Sequence, residues 1–135
     1  GRVFCTPGTL DLARLVLTDA AHLQEEDARQ ANRDGYSRHH PALPLYTVAD
    51  AWRAISQLQP LGYDRPVNVA PGVEISFVPM GHLLGAAAVR MTLAGGRRIV
   101  FGGDLGRFNR PVLQDPRPIQ MTDVLLEHAP EAAAR

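Results

Sequence analysis

Two short glycine-rich motifs contain the side chains of this sequence that are best suited to chemistry. His82 lies in the sequence GHLLG at residues 81–85, and Asp104 lies in the sequence GGDLG at residues 102–106. Each motif directly follows an apolar run that is typical of a β-strand. Imidazole and carboxylate groups are normal zinc ligands, and a carboxylate can bridge two metal ions in phosphodiester-cleaving sites. These residue types therefore predict a metal site.

The pattern alone leaves a structural alternative open. Asp104 could cap a turn, and His82 could be a hydrogen-bonded core residue. A dinucleotide-binding motif is excluded, because residues 102–106 lack the required glycine spacing and no helix follows them. His22 and His128 have ordinary explanations as a solvated and a strand-end side chain. His39 and His40 are best explained as solvated loop residues, with phosphate or metal binding as the alternative.

A predicted hairpin brings the two motifs to one edge of a sheet. Residues 88–93 and 98–101 are apolar runs separated by two glycines, which is a strong hairpin signal. The preceding run, residues 73–78, alternates apolar with polar residues and ends shortly before His82. We therefore expect Asp104 to lie beside His82 at the ends of these strands.

The remaining elements predict an α+β class, with a long helix and a second helix followed by antiparallel strands. The first helix has Thr9 as its expected N-cap and continues to about residue 34. Thr47 and Asp50 form a capping-box pattern, and the second helix is expected to end near Leu58. Further predicted elements are strands at residues 3–5, 67–69 and 124–126 and an ordered loop at residues 36–45.

The composition is that of a globular domain with balanced charge. Hydrophobic residues make up 45% of the chain and charged residues 21%, which excludes a disordered or fibrous protein. Fourteen basic residues balance 14 acidic residues, so nucleic-acid binding must depend on local sites. The single cysteine, Cys5, excludes an internal disulfide and favours a cytoplasmic location. No apolar run approaches the length of a membrane span, so no membrane partner is expected.

Several segments resemble metallo-β-lactamase-fold nucleases of the β-CASP group, a family of RNA-processing hydrolases. The motifs around His82 and Asp104 match most strongly, and the similarity continues to about Glu127. Other matching segments are residues 21–28, 32–33, 35–37 and 41–47. The resemblance implies an αββα sandwich, of which residues 1–135 form a partial domain.

This resemblance also implies roles for individual residues. His82 is expected to bind one zinc ion, Asp104 to bridge two, and Glu127 to serve in the catalytic site by supporting a histidine. After Glu127 the chain departs from the family, with HAPE at residues 128–131 where STYG is expected. The family's HxHxDH metal motif and its β-CASP region are absent, so we expect this chain to be an interior part of a longer protein.

The implied function is that of a zinc-dependent hydrolase with two metal ions that cleaves single-stranded RNA, as an endonuclease or an exonuclease. A homodimer is one assembly left open. Two alternatives remain: a non-catalytic scaffold or RNA-binding subunit, and the same fold acting on DNA or on a small ester. An HxHxDH motif upstream in the gene would favour the enzyme over the scaffold.

Overall fold

The computed structural model describes residues 1–120 and 122–127, which form two helices and seven strands. In chain order these are β1 (Val3–Cys5), α1 (Pro7–Asp34), α2 (Val48–Ile55), β2 (Leu58–Pro60), β3 (Val67–Ala70), β4 (Val73–Pro79), β5 (Ala87–Leu93), β6 (Arg98–Phe101) and β7 (Val124–Leu126). Strand β1 pairs with β2, and the other five strands form one sheet in the order β3-β4-β5-β6-β7. The predicted α+β class is confirmed.

Residue contacts divide the chain into two compact units. One consists of Gly1–Phe4 with Leu10–Gln59, and the other of Cys5–Thr9 with Pro60–Arg135. The five-stranded sheet and the three predicted site residues belong to the second unit. The prediction of a single partial domain over residues 1–135 stays a prediction.

Helix α1 begins at Pro7, so the predicted N-cap at Thr9 is wrong. The backbone nitrogen of Thr9 donates to Oγ1 of Thr6 at 3.2 Å, which makes Thr6 the capping residue. Pro7 then occupies the first helical position, where its fixed φ suits the helix and its missing N–H is not needed. The Thr-Pro sequence is therefore the start of the helix.

The polar second half of α1 fixes the loop that follows it. Asn32 donates from Nδ2 to the carbonyl oxygen of Ala42 at 2.9 Å and accepts from the nitrogen of Ala42 at 2.8 Å. Farther back on the helix, Oε1 of Glu25 accepts from the backbone nitrogen of Val48 at 2.9 Å. The segments of α1 and the loop that carry the family resemblance thus form one hydrogen-bonded structure.

No helix within the described residues is long and apolar enough to cross a membrane.

Helix α2 has the capping box that the sequence predicts. The backbone nitrogen of Asp50 donates to Oγ1 of Thr47 at 3.2 Å, and the backbone nitrogen of Thr47 donates to Oδ2 of Asp50 at 2.9 Å. The helix ends at Ile55 rather than near Leu58, because Leu58 begins strand β2. The predicted end of this helix is therefore wrong by about one turn.

The central strands have the predicted hairpin order. Strand β5 is antiparallel to both β4 and β6. Strand β7 instead runs parallel to β6, with Leu125 beside Val100, which differs from the predicted run of antiparallel strands. A parallel neighbour requires a long crossover, which residues 102–123 provide. Asp104 lies in this crossover.

The crossover packs over an apolar cluster on the sheet. Ile119 is partly buried against this cluster, and the backbone nitrogen of Arg117 donates to the carbonyl oxygen of Pro79 at 3.1 Å. The buried members of the cluster are Val78, Met80, Ala88 and Val100. Apolar burial and a backbone hydrogen bond therefore hold the crossover at the end of β4, next to the predicted site.

Candidate metal centre

The structure brings the two predicted ligands together. Nε2 of His82 lies 3.8 Å from Oδ2 of Asp104. Zinc bonds to nitrogen and oxygen are about 2.0–2.2 Å long and tetrahedral, so two donors on one ion lie about 3.3–3.6 Å apart, close to the separation of this pair. The His82 side chain is 44% exposed, which does not fit the alternative of a core histidine. The pair therefore has the chemistry, spacing and access of two ligands of one ion.

A tight loop between β4 and β5 positions His82. The backbone nitrogen of Met80 donates to the carbonyl oxygen of Ala86 at 3.2 Å and closes the base of this loop. Gly81 has φ 66° and Gly85 has φ 87°. Only glycine adopts these conformations at little cost, so the two glycines allow the sharp turn that projects His82. The sequence interpretation of these glycines is confirmed.

The same loop is anchored by hydroxyl groups that the sequence does not reveal. Thr6, which is fully buried, donates from Oγ1 to the carbonyl oxygen of Gly85 at 2.8 Å. The hydroxyl of Tyr63 donates to the carbonyl oxygen of Ala86 at 3.2 Å. Burial raises the pKa of Tyr63, so the phenol remains a protonated donor at neutral pH. Both hydroxyls fix the C-terminal end of the loop that carries His82.

Glu127, the third predicted site residue, follows strand β7 beside the Asp104 motif. The backbone nitrogen of Gly102 donates to the carbonyl oxygen of Leu126 at 2.7 Å. A Cβ atom at Gly102 would lie 3.0 Å from Cγ of Glu127, so the Glu127 side chain packs against the backbone of this glycine. The glycine at position 102 thus leaves room for the glutamate.

One cavity of about 690 Å³ is lined by His82, Asp104 and Glu127. Apolar side chains of the crossover and of the sheet also line it, and so does Arg117. The lining of this solvent-accessible space thus contains a histidine, two acidic residues and an arginine. Such a lining offers part of a metal-ligand set and one basic residue for an anionic substrate.

The described residues supply only part of a metal site. Zinc in proteins has three or four protein ligands, and no group of three or more His, Cys, Asp or Glu residues in the described ranges could hold an ion. His22, His39 and His40 are exposed residues of the other unit. His128 lies outside the described residues, as does the divergent segment 128–135. His82 and Asp104 therefore form an incomplete ligand set, and their assignment as ligands stays a prediction.

No protein-family model matches the chain. The chain is 29% identical over 126 residues to Ribonuclease TTHA0252 of Thermus thermophilus, covering 93% of this chain and 25% of that protein. It is 29% identical over 127 residues to Endoribonuclease YSH1 of Eremothecium gossypii, which covers 93% of this chain and 15% of that protein. It is 26% identical over 117 residues to Transcription termination factor FttA of Methanosarcina mazei, which covers 86% of this chain and 16% of that protein.

Two of these relatives are named as a ribonuclease and an endoribonuclease and the third as a transcription termination factor. The resemblance to β-CASP metallo-β-lactamase-fold nucleases that the sequence predicts is confirmed. The similarity extends over most of this chain at low identity. The chain itself spans 25% of the length of the ribonuclease and less of the other two relatives. The family of the relatives points to metal dependence.

Proposed function

We propose that the protein carrying this chain is a zinc-dependent hydrolase that cleaves phosphodiester bonds in single-stranded RNA. The observation that carries this proposal is the 3.8 Å separation of His82 and Asp104 in a cavity that Glu127 also lines. The names of two relatives, a ribonuclease and an endoribonuclease, support RNA as the substrate class. The proposal covers both endonucleolytic cleavage, within the RNA strand, and exonucleolytic cleavage, from one end of it.

Each site residue has a distinct role in this proposal. His82 would hold one zinc ion, and the carboxylate of Asp104 would be shared by two ions. Zinc bound there supplies an acidified water nucleophile and stabilises negative charge on the phosphoryl group. Glu127, packed beside Gly102, supports a neighbouring histidine of the complete site. Zinc binding also requires ligands beyond the described residues, since those residues hold no third ligand near the pair.

Cellular location and assembly follow from the sequence and belong to the same proposal. Cys5 is buried and unpaired, as is typical of proteins in a reducing compartment. We therefore infer a cytoplasmic protein. A homodimer remains an open expectation.

The decisive variant is Asp104→Ala in the protein that carries this chain, assayed on labelled single-stranded RNA. Loss of a carboxylate shared by two ions should reduce cleavage by orders of magnitude while the thermal unfolding midpoint stays close to that of the wild type. Asp19→Ala is the matched control, because Asp19 is exposed on α1 and its side chain makes no hydrogen bond or ion pair with another described residue. Wild-type cleavage by Asp104→Ala would show that the ligand assignment is wrong.

A non-catalytic RNA-binding subunit is the second candidate, and the presence of both His82 and Asp104 argues against it. It predicts that the wild-type protein binds RNA without cleaving it, and that Asp104→Ala binds equally well. Parallel assays on single-stranded DNA and on a small ester test the third alternative, in which the fold acts on a different substrate. Cleavage of either compound in place of RNA would favour it.

A further inference from the structure

One basic side chain lines the cavity of His82, Asp104 and Glu127. Arg117 is the single Lys or Arg among the described residues that line this cavity. The two carboxylates repel an incoming phosphate, so a nearby cation lowers the electrostatic cost of substrate entry. Arg117 is therefore placed where a polyanionic substrate needs a positive charge.

The backbone and the side chain of Arg117 are both held in place. The backbone nitrogen donates to the carbonyl oxygen of Pro79 at 3.1 Å, and Nη1 forms an ion pair with Oδ2 of Asp64. Asp64 is itself fixed, because its backbone nitrogen donates to the carbonyl oxygen of Phe77 at 2.9 Å. The Arg117 side chain remains 57% exposed, so N–H groups outside the ion pair are available to a ligand.

We infer that Arg117 binds a phosphate group of the RNA substrate at the rim of this cavity, an inference that rests on the proposed function. A guanidinium offers a planar fork of N–H donors that matches phosphate oxygens. Asp64 pairs with Nη1 of this fork but does not itself line the cavity. Of this ion pair, only Arg117 belongs to the lining of the cavity that contains His82 and Asp104.

Two variants that break the same ion pair distinguish two roles of Arg117: binding the substrate, and holding the crossover in place through the ion pair. Arg117→Gln removes the cation from the cavity, whereas Asp64→Asn leaves it there and removes its counter-charge. In steady-state cleavage of a labelled single-stranded oligoribonucleotide, Arg117→Gln should raise KM about tenfold with little change in kcat. It should also reduce the slope of log affinity against log salt by about 0.7, the contribution of one phosphate contact to a single strand. Asp64→Asn should leave KM unchanged or lower it.

An equal rise in KM in both variants would show that the ion pair only fastens the crossover, and an unchanged KM in Arg117→Gln would show that no phosphate contact exists. Either result overturns the inference while wild-type cleavage leaves the proposed function standing. A wild-type protein that neither binds nor cleaves the oligoribonucleotide overturns both.

Arg117→Lys keeps the inference testable if Arg117→Gln does not fold. A lysine keeps the charge but loses the fork of donors, so KM should be higher than in Asp64→Asn and lower than the value expected for Arg117→Gln. Equal KM values for Arg117→Lys and Asp64→Asn would overturn the inference.

Discussion

Gly106 packs directly on the backbone of Gly81. A Cβ atom at Gly106 would lie 1.9 Å from the carbonyl oxygen of Gly81, and the Gly106 nitrogen donates to the carbonyl oxygen of Met80 at 2.8 Å. The loop that contains Asp104 is therefore in backbone contact with the loop that contains His82. This backbone contact holds the two proposed ligands on neighbouring loops.

Gly106→Ala should separate these loops. The added methyl group has no space against main-chain atoms, so we expect a loss of about 1–3 kcal/mol in the free energy of unfolding, measured in urea, and a strong loss of RNA cleavage. Gly62→Ala is the control, since a Cβ there would lie 3.5 Å from Cδ of Arg65, an ordinary contact. Full activity in Gly106→Ala would argue against a fixed spacing of His82 and Asp104.

Thr6→Val tests the anchor of the His82 loop. Valine keeps the shape but removes the hydroxyl that donates to Gly85 and that caps α1 through Thr9. We expect the free energy of unfolding to fall by about 1–3 kcal/mol, because a buried carbonyl loses its short hydrogen bond. Thr18→Val is the control, as its hydroxyl makes only exposed bonds within α1. Equal stability of these two variants would refute the anchoring role of Thr6.

The His82–Asp104 pair could be predicted because its signals are local. Each residue lies between glycines after an apolar run. The predicted hairpin of residues 88–93 and 98–101 indicates that the strand ends next to these two residues lie at one edge of the sheet. The bond from Thr6 to Gly85 could not be predicted, because it joins residues far apart in sequence and threonine has many other uses. The position of Arg117 beside the cavity likewise depends on the crossover and on the parallel β7, for which the sequence has no local signal.

The capping box of α2 predicts a specific pH dependence. Hydrogen bonds from the side chain and backbone of Thr47, together with Arg53, lower the pKa of Asp50 from 3.8 to about 2. A carboxylate with a lowered folded-state pKa stabilises the fold above its unfolded-state pKa, and this contribution is lost as pH falls toward the folded-state value. Asp50→Asn should therefore lower the melting temperature at neutral pH.

Thermal melts should show that the difference between wild type and Asp50→Asn shrinks as pH falls from 3.8 to about 2. Asp27→Asn, an exposed position on α1, should show little difference at any pH. A constant deficit of Asp50→Asn across this range would mean that the charge of Asp50 does not stabilise the cap.

Arg38→Ala provides a contrast to the metal-site variants. Arg38 is an exposed cation in the loop after α1 and can at most contact a phosphate. Its loss should weaken RNA binding modestly and in a salt-dependent way, with turnover largely intact. Loss of turnover with unchanged binding would place Arg38 in the chemistry and contradict this assignment.

The most direct test of the metal site is anomalous diffraction at the zinc absorption edge, on crystals of the protein that carries this chain. We predict an anomalous peak about 2.0–2.2 Å from Nε2 of His82, and a carboxylate oxygen of Asp104 at a similar distance from that peak. A second peak on the other oxygen of Asp104 is expected if the carboxylate bridges two ions. Zinc bound elsewhere in an RNA-cleaving protein, with no peak at His82 and Asp104, would contradict the assignment of these residues as metal ligands.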